Sequence, residues 1–100
     1  MLTQKSAIEI LRRELPHLRN SYGVKKIGLF GSFAKGVPRE DSDIDILVEL
    51  EKPIGFKFIE FAEFIERLLG TKADILTFEG IKGIRVRQVA EDIRRSVFYV

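Results

Sequence analysis

Ile27-Gly28-Leu29-Phe30-Gly31-Ser32 and, ten residues further on, Asp43-Ile44-Asp45-Ile46-Leu47-Val48 are two runs of branched and aromatic residues, each bordered by turn-forming ones. The first predicts a short buried strand over residues 25–30, stopped by Gly31. The second predicts a strand over residues 44–50. Side chains two apart on a strand share a face, so Asp43 and Asp45 point the same way while Ile44 and Ile46 point into the core. Their Cα atoms would stand about 7 Å apart at a rise of about 3.3 Å per residue. Two like charges on one face repel, and aspartate is a poor strand former. A cation between them relieves that repulsion, and carboxylates so spaced can converge on a pair of metal ions roughly 3.5–4 Å apart. The competing reading is a solvent-facing edge with scattered acids, to which Asp41 and Ser42 would belong.

Outward from this centre, helix and strand alternate. Ile8, Leu11, Leu15, Leu18 and Tyr22 fall on one helical stripe over residues 4–21, with Gly23 as its C-terminal cap. Pro16 lies inside that stretch and predicts a kink or break, because it removes one backbone donor. Residues 52–55 read as a loop. Phe58, Phe61, Ala62, Ile65, Leu68 and Leu69 recur at helical spacing before Gly70, and this phenylalanine stripe reads as a core face rather than a ligand box. Residues 73–78 predict a third strand. Val86, Val89, Ala90, Ile93 and Val97 predict a last helix from about Gly83, and residues 97–100 a strand or packed tail. The fold class is α/β (α+β): a small mixed sheet of three or slightly more strands with helices packed against it, in a single domain over residues 1–100.

The composition is that of an ordinary soluble globular chain: 100 residues, 45% hydrophobic and 32% charged, with net charge +2. Without cysteine there are no disulfides or thiolate metal sites, which fits a reducing cytoplasm. No signal-peptide core or membrane-length apolar run is present. The net charge is too mild to imply direct nucleic-acid binding. Lys82, Arg85, Arg87, Arg94 and Arg95 thicken the positive charge near the C-terminus, either as a solvated helix face or as a surface for phosphates or an acidic partner. His17, the one histidine, reads as a surface or packing residue on the first helix.

Gly31 and Ser32 form a strand-to-helix turn. Glycine permits close backbone approach, and a hydroxyl near a helix N-terminus can donate to a phosphate oxygen. Two familiar phosphate loops are excluded. Val37 follows Gly36 where a Walker loop requires lysine, and Gly28, Gly31 and Gly36 lack the dinucleotide spacing. Asp74, in Ala73-Asp74-Ile75-Leu76, is a third candidate carboxylate if its strand lies beside the Asp43–Asp45 strand. Glu49, Glu51 and Glu79 compete with it, each further from the glycine turn.

Gly31-Ser32, ten residues and Asp43-Ile44-Asp45 together resemble the signature of the DNA polymerase β-like nucleotidyltransferase superfamily. The surrounding residues 27–36 and 42–48, with Tyr22-Gly23-Val24 and the ending Val97-Phe98-Tyr99-Val100, resemble its minimal nucleotidyltransferases, which are often antitoxins paired with a HEPN-domain toxin. The resemblance implies the polymerase β-like fold and transfer of AMP from ATP to an acceptor hydroxyl, a tyrosine of the HEPN toxin. It implies that Gly31 and Ser32 hold the triphosphate and that Asp43 and Asp45 ligate Mg²⁺. Asp74 matches the third acidic position, as a further ligand that helps deprotonate the acceptor. Mg²⁺ suits such a site, since it takes oxygen ligands from a few carboxylates plus substrate phosphates. Phosphoryl-type transfer needs positioning and charge neutralisation more than covalent chemistry. Two other functions stand beside this one: a non-catalytic antitoxin that only binds its partner, and a nucleotidyltransferase acting on a small molecule or an RNA end. The intact acidic set argues against the first, and the shortness of the chain against the second.

Overall fold

Thr3 opens the first helix with a reciprocal cap: its hydroxyl accepts from Ser6 N at 3.1 Å, and Ser6 Oγ accepts from Thr3 N at 2.9 Å. The computed structural model describes residues 2–31, 43–82 and 97–100. Helix α1 (Gln4–Tyr22) buries Ala7, Ile8, Leu11, Leu18 and Tyr22, and ends where Gly23 N–H donates to Arg19 O at 3.1 Å. Of the kink or break expected at Pro16, a break does not occur: the helix runs through it as one element of 19 residues. One lost hydrogen bond is outweighed here, because buried Leu11 and Leu18 hold the chain on either side and both ends are capped.

Strand β1 (Val24–Phe30) pairs antiparallel with β2 (Ile44–Leu50), from Val24 opposite Leu50 to Phe30 opposite Asp45. Helix α2 (Lys57–Leu69) carries the chain back so that β3 (Ala73–Thr77) lies parallel to β2. A final short strand, β4 (Phe98–Tyr99), pairs antiparallel with β1. Among the described residues the sheet order is β3-β2-β1-β4, a mixed sheet of four strands.

One face of this sheet is covered by α1 and α2. Ile44, Ile46 and Val48 are fully buried there with Ile27 and Leu29, beneath Leu11, Leu18, Phe61 and Ile65. The phenylalanine stripe is core: the Phe61 ring lies 5.2 Å from that of Tyr22. His17 is exposed on α1, with its ring 5.1 Å from that of Phe64. Among the described residues, no helix is long and apolar enough to cross a membrane.

One expectation changes at the C-terminal side. The third strand stops at Thr77, and Phe78 instead begins a short helix, α3 (Phe78–Lys82). The Thr77 hydroxyl accepts from Gly80 N at 2.9 Å, a local cap that turns the chain out of the sheet. The helix expected from about Gly83 lies outside the described residues, as do Arg85, Arg87, Arg94 and Arg95. Val97 is not part of any described helix. It precedes β4 and packs towards Leu47 with Phe30, Leu76 and Phe78.

Candidate active site

The face of the sheet opposite α1 and α2 carries the acids. Asp45 lies opposite Asp74 in the parallel β2–β3 register and opposite Phe30 in the antiparallel β1–β2 register. Residues in one cross-strand row share a face, so Asp74, Asp45 and Phe30 form a row across three strands. Neighbouring strands are about 4.8 Å apart, which sets the spacing of the two carboxylate-bearing residues. The next row on this face pairs Leu76 with Leu47, and Leu47 is fully buried in the small apolar cluster there. Asp43, expected on the strand, stands at the residue before it begins. It is exposed, as is Asp74, while Asp45 is half-buried.

Burial pushes the Asp45 carboxyl above its usual range, and the charges of Asp74 and then Asp43 push it further in the same direction. Asp74 and Asp43 therefore both act electrostatically on Asp45. Among the described residues, however, no three ligating side chains already converge on a single point. The donor set is hard oxygen, carries excess negative charge and has two exposed members, Asp43 and Asp74, which fits a magnesium ion that also takes ligands from substrate phosphates.

Gly31 closes β1 with a left-handed backbone, φ +69°. A side chain there would have no room: a Cβ would run into Asp45 Oδ2 and stand 3.1 Å from Asp45 Cγ. Glycine therefore serves twice, once for the backbone angle and once by leaving the Asp45 carboxylate where it stands. The second role is invisible in the sequence, because it depends on the register that sets Phe30 opposite Asp45. Ser32 lies outside the described residues.

The competing glutamates are elsewhere. Glu49 lies at the opposite end of β2, about 13 Å along the strand from Asp45 at the usual rise, with its Oε1 4.0 Å from Lys25 Nζ. With Glu51 and Glu79 it lines a separate pocket of about 540 Å³.

Residues 7–96 match the model of the family described as "Nucleotidyltransferase domain". The chain belongs to that family. Nucleotidyl transfer is thus its enzymatic activity, and the four-stranded mixed sheet with its helices is the nucleotidyltransferase fold. Among curated nucleotidyltransferase relatives, the protein adenylyltransferase MntA of Thermococcus cleftensis is 41% identical over 101 residues, covering 100% of this chain and 98% of the relative. A solved protein provisionally described as a minimal nucleotidyltransferase superposes with a TM-score of 0.76 at 27% identity, covering 98% of this chain and 96% of that one. A toxin–antitoxin structure with AMP-PNP shares the fold, with a TM-score of 0.55 at 23% identity over 85% of this chain and 62% of that one.

Proposed function

We propose that this nucleotidyltransferase transfers AMP from ATP to a tyrosine hydroxyl of a HEPN-domain toxin, and so acts as its antitoxin in a Mg²⁺-dependent reaction. The observation that carries the reading is the cross-strand pairing of Asp45 with Asp74, next to the glycine turn that ends β1. The kinship to a protein adenylyltransferase supports a protein acceptor, and the fold shared with a toxin–antitoxin structure holding AMP-PNP supports ATP and a toxin partner.

In this reading Asp43, Asp45 and Asp74 hold Mg²⁺, and Ser32 donates to a phosphate oxygen beside the Gly31 turn. Bound there, Mg²⁺ would neutralise the triphosphate, acidify the acceptor hydroxyl and hold the departing pyrophosphate. In the same reading Asp74, exposed and opposite Asp45, takes the proton of an incoming tyrosine. The tyrosine oxygen bonds to the α-phosphorus while the bond from that phosphorus to pyrophosphate breaks. Two exposed acids suit an acceptor presented on another macromolecule. The attached AMP adds negative charge to the toxin, which opposes binding of RNA phosphates.

Catalytic silencing has a distinctive signature. A small amount of enzyme with ATP and Mg²⁺ is expected to silence excess toxin, and the toxin stays silent after the enzyme is removed. A requirement for stoichiometric amounts, with recovery on separation, would favour simple binding. Ser32→Ala is expected to weaken nucleotide binding by the about 1.5–3 kcal/mol of one hydrogen bond to a charged group. Titration with AMP-PNP measures it, and unchanged affinity would place the triphosphate elsewhere.

A further inference from the structure

Glu66 is used twice at the turn between α2 and β3. Its backbone oxygen accepts from Gly70 N at 2.8 Å, closing the helix where Gly70 turns left-handed at φ +69°. Its side chain then reaches across the turn, where Oε2 accepts from Ala73 N at 2.9 Å. Ala73 opens β3 and immediately precedes Asp74.

The bond matters because of where β3 lies. Among the described residues it is an edge strand, paired on one side only. Lys72 O accepts from Ile44 N at 3.0 Å, so Lys72 turns its backbone groups towards β2. Backbone groups alternate in direction along a strand, so the Ala73 N–H points away from β2, where no strand follows among the described residues to receive it. Glu66 supplies the missing acceptor and ties the start of β3 to the end of α2. The first two register pairs of that strand are Ile44 with Ala73 and Asp45 with Asp74.

We infer that Glu66 is a positioning residue for nucleotidyl transfer: by holding Ala73 it fixes the start of β3, and with it Asp74 opposite Asp45. This rests on the proposed role of Asp74. The side chain itself does no chemistry, and only its oxygen as an acceptor is needed. Glutamine keeps an oxygen at that place, whereas leucine keeps apolar bulk and helix propensity but accepts nothing.

The test compares Glu66→Leu, Glu66→Ala, Glu66→Gln and Asp74→Asn with wild type, well below their melting temperatures. It measures pyrophosphate release from ATP with Mg²⁺ and the HEPN-domain partner, together with amide exchange of Ala73 by NMR. Glu66→Leu and Glu66→Ala are expected to lower kcat roughly tenfold, within the up to about hundredfold loss that an ångström of misplacement produces. KM for ATP should change less than about twofold, because the glycine turn is untouched, and the Ala73 amide should exchange faster. Glu66→Gln should keep at least about half of the wild-type kcat and most of the protection. Wild-type kcat in the leucine and alanine variants, with Asp74→Asn inactive, would overturn this inference alone, as would a glutamine variant as slow as they are. Wild-type kcat in Asp74→Asn would overturn the role of Asp74 and this inference with it. If one of the two truncating variants does not melt cooperatively, the other carries the comparison.

Discussion

Asp45→Asn is expected to stop nucleotidyl transfer while making the metal-free protein more stable at neutral pH. The loss of activity should be roughly 10²–10³-fold or more, the scale of removing a group that stabilises developing charge. The gain in stability follows from the direction of the Asp45 shift. Burial and the neighbouring charges of Asp74 and Asp43 raise its folded pKa above the ordinary 3.8. The folded state therefore binds a proton more readily than the unfolded chain, and the ionised carboxylate costs stability above that raised value. Asparagine removes this cost. Melting curves in a chelator should show Asp45→Asn above wild type at pH 7, with the difference fading as the pH falls to the ordinary value of 3.8 and below, where both states of the wild type are protonated. Added Mg²⁺ with AMP-PNP should stabilise wild type and leave the variant almost unmoved. A variant that melts below wild type at pH 7 without metal would contradict the electrostatic account of the site.

Gly31→Val is expected to lose both stability and activity. A β-branched residue at φ +69° is a backbone outlier, with a strain of about 1–3 kcal/mol. Its Cβ also occupies the space of the Asp45 carboxylate, so that carboxylate must leave its place in the row. Transfer should therefore fall about as far as in Asp45→Asn. The two causes can be separated. Gly31→Ala keeps the collision and has a milder backbone cost, about 1–2 kcal/mol. In an Asp45→Ala background the collision is gone, so Gly31→Ala should destabilise less there than in wild type. Thermal melting of the four proteins of that cycle measures the coupling. Strict additivity would mean that Gly31 and Asp45 do not compete for the same space.

Where the sequence was informative, the signal was local. Ile44 to Leu50 alternates with acids and branched residues and forms a strand over the residues expected. The Phe61–Ile65–Leu69 stripe closes at Gly70 as its spacing indicates. Pro16 does not break its helix, because its effect is local and the packing that holds the helix is not. Phe78 misled because it extends an apolar run, while the Thr77 hydroxyl that ends the strand reads as one more β-branched residue. The site divides in the same way. The spacing of Asp43 and Asp45 can be read along one strand. The position of Asp74 opposite Asp45, the contact between Gly31 and Asp45, and the hold of Glu66 on Ala73 all depend on which strands lie side by side. No spacing in the chain encodes that arrangement directly.

The central claim is that these acids catalyse transfer of AMP onto a toxin. It is tested most directly by the intact mass of a HEPN-domain partner after incubation with ATP, Mg²⁺ and substoichiometric amounts of either wild type or Asp43→Asn. Wild type should convert the excess partner to a species heavier by one or more AMP groups, located on tyrosine by peptide mapping, and Asp43→Asn should leave the mass unchanged. An unmodified partner that wild type and Asp43→Asn silence equally well would contradict the account and leave binding alone as the antitoxin activity.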